Sequence, residues 1–220
     1  MSAPFHIAVF ARAPIAGAAK TRLIPLLGAQ GAADAQRAMT LHTLKTAHAA
    51  APGRVSLWTA GDHEHPFFAE CARHFGLACH PQCEGDLGQR MAHCLRTQLQ
   101  TNDTVLLIGT DCPARTADDL CAAARALQGG ARMVFTPAED GGYVLVGAQA
   151  HGADLNAGFA QAFTEIAWST AQVMAQTRAR LTAIGWRSGR EWHELPTLWD
   201  VDTPADYARA AGMFSGGFDE

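Results

Sequence analysis

Apolar residues along the chain fall into short continuous runs separated by stretches of helical periodicity. Residues 5–11, Phe-His-Ile-Ala-Val-Phe-Ala, form an apolar run ended by a proline-containing loop, which predicts a buried strand. Residues 28–50 are alanine-rich, with Met39, Leu41 and Leu44 spaced for one face, and predict a helix stopped by Pro52 and Gly53. A second strand is expected over 54–60, a helix over 65–75, a short third strand over 77–80 and a helix over 87–100. The clearest buried strand is Thr-Val-Leu-Leu-Ile-Gly at 104–109. Thr116 is a suitable N-cap for a helix through Gln128, ended by Gly129 and Gly130. Residues 132–136 and 143–147 predict two strands around a Glu-Asp-Gly-Gly turn. Ser169 or Thr170 is expected to cap a helix to about Thr182, and Thr203-Pro-Ala-Asp to open the last one.

Strands alternating with helices imply a three-layer α/β/α sandwich with a mostly parallel mixed sheet. With 220 residues and neither repeat nor linker, one domain over 1–214 is expected, followed by a loose tail at 215–220. Such sheets bind ligands outside the carboxyl ends of their strands, so chemistry is sought in the loops that follow them.

Composition narrows the classes. The chain is 48% hydrophobic and 17% charged, enough to bury a core. Its net charge of −4 argues against a nucleic-acid or membrane-surface partner, which would demand a basic stripe. No apolar run reaches the roughly 20 residues of a membrane span. The opening residues lack a charged stretch followed by an apolar one, so a cytoplasmic location with reduced thiols is expected for the six cysteines. His74, Cys79, His80 and Cys83 lack a second paired half for zinc, and cysteine as a small hydrophobe fits better. A monomer or a homodimer is compatible with this composition.

Five segments carry candidate chemistry. In FARAPIAGAAKTRL, directly after the first strand, Arg12, Lys20 and Arg22 crowd a loop in which Gly17 lets backbone amides approach a ligand. Three cations within 11 residues suit phosphate oxygens better than they suit a merely solvated loop. The segment is neither a P-loop nor a G-x-G-x-x-G fingerprint. In LIGTDCP, Asp111 lies at the carboxyl edge of the most apolar strand, either as an oxygen ligand for Mg2+ or Mn2+ or as the cap of the next turn. In LWDVDTPADY, Asp206 is explained by the first turn of a helix that Thr203 caps and Pro204 begins. Asp200 and Asp202 remain, and Asp202 at the helix mouth can pair with Asp111 on one ion. In PAEDGGY, Glu139 and Asp140 either shape a hairpin turn or lie beside the cleft, where one of them could deprotonate an acceptor hydroxyl. In EGDLGQR, Asp86 either contacts the nucleotide or caps the helix behind it. Tyr143 and Trp168 are candidates for the acceptor side, with a core role the alternative for Trp168.

On these blocks, which run in order from residue 10 to 207, the chain resembles the glycosyltransferase-A-fold superfamily of nucleotide-diphospho-sugar transferases. Within it, the chain looks like a bacterial glycosyltransferase-like family, some members of which are associated with arsenosugar biosynthesis. The AKTRL and DVDTPAD segments are also similar to those of 2-phospho-L-lactate guanylyltransferase, and DTPAD to those of sugar-activating cytidylyltransferases. The resemblance implies that Arg12, Lys20 and Arg22 hold nucleotide phosphates, that Asp111 is the metal ligand of the D-x-D position, and that Asp202 is the second. Two features depart from the pattern: TDCP holds one acid where D-x-D holds two, and the phosphate loop lacks a Gly-x-Gly opening.

The leading expectation is a metal-dependent transferase using a nucleotide-activated sugar and a small-molecule acceptor, with Lys20, Asp111 and Asp140 as its catalytic groups. The alternative is a nucleotidyltransferase that moves a nucleoside monophosphate from a triphosphate to a phosphorylated acceptor and releases pyrophosphate. A third reading is a non-catalytic nucleotide-binding module.

Overall fold

The computed structural model describes residues 4–150, 155–214 and 218, without the side chains of 155–157. Seven strands form one sheet: β1 (His6–Arg12), β2 (Val55–Ala60), β3 (Ala78–Pro81), β4 (Thr104–Gly109), β5 (Met133–Pro137), β6 (Tyr143–Gln149) and β7 (Trp192–Glu194). Their spatial order is β3-β2-β1-β4-β6-β5-β7. Every neighbouring pair is parallel except those involving β6, which runs against both β4 and β5. The order reverses between β1 and β4, where Phe10 stands opposite Gly109, so the crevice of an open α/β sheet falls at their carboxyl ends.

Alternation along the central strands explains the two helical layers. Ile7, Val9 and Ala11 of β1 pack on one face with Leu41 and Leu44 of α1 (Ile24–Ala50) and with Leu120 and Leu127 of α4 (Ala117–Gln128). Ala8 points to the opposite face. There it joins Leu95 of α3 (Leu87–Gln98), Phe159 of α5 (Leu155–Phe163) and Leu181 of α6 (Val173–Ala183). Two further helices, α2 (Pro66–Phe75) and α7 (Pro204–Arg209), complete the fold. The mixed α/β sandwich expected from the alternation is therefore the observed architecture.

Local expectations held where a cap or an apolar run dictated them. Thr116 and Thr203 each accept a hydrogen bond from the amide three residues on, and in each case that residue's carboxylate answers, giving two reciprocal capping boxes. Within α1, Gly28 adopts φ 70° and ψ 170°, so the long helical stretch begins after it, close to the expected start.

One cap is corrected. The Thr170 hydroxyl donates to the carbonyl of Ala167 at 2.7 Å, which closes a local turn, and α6 begins at Val173 without a side-chain cap. Helix α5 and strand β7 were not foreseen: the sequence LNAGFAQAF has no polar face to set a period, and β7 is three residues long. The tail expected at 215–220 lies outside the described residues except at Phe218, whose ring packs against Phe67 and His74.

Candidate functional site

The loop after β1 is wound tightly. The amides of Ala18 and Ala19 both reach the carbonyl of Ile15, and Gly17 takes φ 82°. Lys20 ends the loop at φ 42°, a left-handed conformation in a residue with a Cβ, fixed by the Leu23 amide on its carbonyl at 2.8 Å. Its side chain is only 11% exposed. The ammonium donates to the Val201 carbonyl at 2.7 Å and lies 3.4 Å from an oxygen of Asp111 and 3.4 Å from one of Asp202. Burial alone would lower its pKa, but the charges of Asp111 and Asp202 outweigh that and hold it above the ordinary value. Arg22 donates to the other oxygen of Asp202 at 2.7 Å. Arg12, exposed at the end of β1, lines the cleft.

Asp111 follows β4. The Gln36 side chain on the Thr110 hydroxyl at 3.1 Å and the Thr43 hydroxyl on the Thr110 carbonyl at 3.3 Å pin its neighbour. Buried Arg115 braces the strand end by donating to the carbonyls of Gly109 and Val144. The Val201 amide donates to the Asp111 carbonyl at 2.8 Å, and this bond carries the Asp-Val-Asp segment to the end of β4. Burial would raise the Asp111 pKa, but the Lys20 ammonium, chiefly, keeps it below the usual carboxylate range.

The structure thus brings Lys20, Arg22, Asp111 and Asp202 together, and it adds Asp200. One oxygen from each of Asp111, Asp200 and Asp202 lies within 4.8 Å of the others. Burial, then the charges of Asp111, Asp140 and Asp202, push the Asp200 carboxyl up to about 7. Asp200 has no role of its own in the motif, although two acids spaced i, i+2 in a non-helical stretch are a signal for a shared face. Of these groups, Lys20, Asp111 and Asp200 line a cleft of about 420 Å³ at the carboxyl ends of β1 and β4, and Asp202 stands beside it through its contact with Lys20. Three further lining residues were missed: Gln82, held by the Trp58 carbonyl at 3.0 Å, Arg90, held by the Gly85 carbonyl at 2.9 Å, and Met91. Only Arg90 lies in the EGDLGQR segment, which reads equally well as a helix start, and Gln82 and Met91 flank it without a motif of their own.

Other candidates separate. Asp86 accepts the Gln89 amide at 2.8 Å as the reciprocal N-cap of α3 and is not among the cleft-lining residues, so the capping alternative accounts for it. Glu139 is taken by a two-pronged ion pair with Arg209, at 2.7 and 3.1 Å, and Arg209 stacks on Trp199 at 4.2 Å. The Arg209 hydrogen bonds keep the Glu139 pKa low. Asp140 sits at the tip of the β5–β6 turn and accepts the Gly142 amide at 2.8 Å, near enough to the cluster to act on Asp200. Tyr143 lines the cleft with its hydroxyl buried and unpartnered among the described residues. The Trp168 ring meets it edge-on, centroids 6.4 Å apart, also with its N–H buried and unpartnered.

The raised carboxyl of Asp200 has a testable consequence for stability. A native pKa above the unfolded one means that folding favours the proton, so the contribution is full below about pH 4 and lost as the pH rises through about 7. Asp200→Asn is therefore expected to melt higher than the wild type at pH about 8 in chelator, with the two converging near pH about 4. Parallel melting curves across that range would contradict it.

Residues 43–170 match the bacterial family described as "Uncharacterized protein conserved in bacteria (DUF2064)". The chain belongs to this family. No curated protein matches it. Among solved structures, it is similar to a protein of Desulfovibrio desulfuricans G20 provisionally assigned as a nucleotide-diphospho-sugar transferase. The two are 26% identical, with a TM-score of 0.75 over 94% of this chain and 88% of the other. A cytidylyltransferase from Leptospira borgpetersenii is 14% identical, with a TM-score of 0.57 over 92% and 83%. A 4-diphosphocytidyl-2C-methyl-D-erythritol synthase from Anaerococcus prevotii is 11% identical, with a TM-score of 0.60 over 93% and 96%. The last two likenesses establish the fold alone. The family and the fold agree with the superfamily that the motifs resemble. No helix among the described residues is long and apolar enough to cross a membrane.

Proposed function

We propose that this chain is a transferase acting on a nucleotide-activated sugar, with a divalent cation held by Asp111 and Asp202 and the oxygen set completed by Asp200. The observation that carries the reading is the convergence of these three carboxylates beside the cationic loop, two of them lining the cleft at the strand-order reversal. The donor set fits such an ion: it is all oxygen, with no thiolate or imidazole in the group, as Mg2+ and Mn2+ prefer. The likeness to the Desulfovibrio protein supports the substrate class. Bound there, the ion would neutralise the charge that develops on the departing nucleoside diphosphate.

The chain's own residues supply the rest. Arg12 offers a guanidinium to the phosphates from the end of β1, and Lys20 and Arg22 are within reach of the same place. Tyr143 lines the cleft and Trp168 packs edge-on behind it, which places both on the acceptor side of this reading. Asp140, on the turn beside the cluster, accepts the proton of the attacking hydroxyl. Asp140→Asn is expected to lower kcat by about 10²-fold or more, as the loss of a general base does. Glu139→Gln, which removes only one partner of an exposed ion pair, is expected to stay within about tenfold of the wild type in the same assay. Equal losses in both variants would remove Asp140 from the role.

The test of the reaction class is direct. The protein is incubated with nucleotide-sugars, nucleoside triphosphates and Mg2+ or Mn2+, with candidate acceptors. Release of a nucleoside diphosphate from a nucleotide-sugar is expected. Pyrophosphate release from a triphosphate with a phosphorylated acceptor would instead assign nucleotidyl transfer on the same groups. Unchanged ligand binding in Asp111→Asn and Asp202→Asn would leave a non-catalytic module.

A further inference from the structure

Lys20 cannot serve the carboxylates and the phosphates at once. An ammonium has three donors. Those of Lys20 have three acceptors at hand: the Val201 carbonyl at 2.7 Å, an Asp111 oxygen at 3.4 Å and an Asp202 oxygen at 3.4 Å. Asp202 is equally committed, because Lys20 faces one of its oxygens and Arg22 donates to the other at 2.7 Å. Three carboxylates are thus set against two cations in one cluster. An incoming divalent ion meets largely compensated negative charge, and at Asp202 its charge is repelled by two cations already in place, so its approach favours their departure.

We infer that Lys20 is the resident counter-cation of the carboxylate cluster, and that the site takes its divalent ion together with nucleotide phosphates, as a chelate, in preference to the bare ion. This rests on the metal-dependent reading of the site given above. Phosphate oxygens give the displaced ammonium and the Arg22 guanidinium new anionic partners at the moment the ion takes their place on Asp111 and Asp202. Ion and phosphates therefore raise each other's affinity, reciprocally. The backbone supports an exchange of partners at one place: the left-handed conformation of Lys20, closed by the Leu23 amide, fixes where the side chain starts.

Binding of Mn2+ alone is measured by the loss of its free electron-paramagnetic-resonance signal, with inorganic pyrophosphate as a phosphate probe that needs no knowledge of the base. Lys20→Met is expected to bind bare Mn2+ at least about tenfold more tightly than the wild type, because its competitor is gone. In the wild type, Mn2+ with pyrophosphate is expected to raise the melting temperature by more than the sum of the two separate shifts. Lys20→Gln repeats the first measurement if Lys20→Met does not fold, and the second measurement needs no variant.

Bare Mn2+ bound no more tightly by the Lys20 variants, or merely additive shifts in the wild type, overturns the inference. Asp111→Asn separates that failure from failure of the site itself. If Asp111→Asn abolishes Mn2+ binding while the Lys20 variants change nothing, the metal site stands and the counter-cation role falls. If Asp111→Asn leaves Mn2+ binding intact, both fall.

Discussion

Asp111→Asn is expected to lower turnover by about 10³-fold while the protein stays folded. The substitution keeps the shape and removes one full charge at the end of β4. A divalent ion contributes several kcal/mol of transition-state charge stabilisation, and each 1.36 kcal/mol is about tenfold in rate. The backbone at the strand end does not lean on the carboxylate, since the Asp111 carbonyl, not its side chain, receives the Val201 amide at 2.8 Å. Thr110 beside it is pinned by Gln36 and Thr43. The loss should therefore appear in kcat and in the divalent-ion requirement, beyond the drop in melting temperature that the lost pairing with Lys20 brings. Asp206→Asn is the control: it weakens a helix cap that holds the amides of Asp202 and Thr203 at 3.2 and 2.8 Å, and should cost stability rather than turnover. Equal turnover in Asp111→Asn and wild type, measured as nucleoside diphosphate release, would remove Asp111 from the chemistry.

What the sequence made legible follows from the range of the forces involved. The apolar run of β4 was found to the residue, and with it the position of Asp111, because a buried parallel strand must be continuously apolar. The caps at Thr116 and Thr203 were legible because a capping box closes within four residues. The pairing of Asp111 with Asp202 was expected from residue type and motif position, but the bond that brings them together spans 90 residues and no local pattern announces it. The ion pairs of Glu139 with Arg209 and of Lys20 with two acids are equally remote in sequence, which is why Glu139 looked available for an acceptor and Lys20 for phosphates. Asp86 shows the opposite difficulty. An acid at the start of a helix suits a cap and a ligand equally well, and only its bond to the Gln89 amide at 2.8 Å separates the two.

Gly141→Ala is expected to be the most destabilising single methyl in the site. Gly141 sits in the β5–β6 turn at φ 91°, which a residue with a Cβ adopts only at a cost of about 1–2 kcal/mol. An added Cβ would lie 2.2 Å from the carbonyl oxygen of Ala171 and 2.8 Å from its carbonyl carbon. Both are backbone atoms, so relief requires the turn to move away from the loop before α6. The first turn of α6 behind that loop is tied to the β5–β6 turn by the Met174 amide on the Gly141 carbonyl at 2.9 Å. Overpacking of this kind adds about 1–3 kcal/mol, for a total of about 2–5 kcal/mol. In a domain of this size that lowers the melting temperature by roughly 4–20 °C. The functional loss should exceed what the remaining folded fraction explains, because the turn carries Asp140 towards the cluster, β6 begins with Tyr143, and the displaced loop carries Trp168. Gly142→Ala is the matched control: its Cβ would meet only the Asp140 carboxylate, with the nearest oxygen at 3.1 Å, and a side chain can swing aside. If both variants melt alike, the close approach of the turn to Ala171 does not hold this side of the cleft in place.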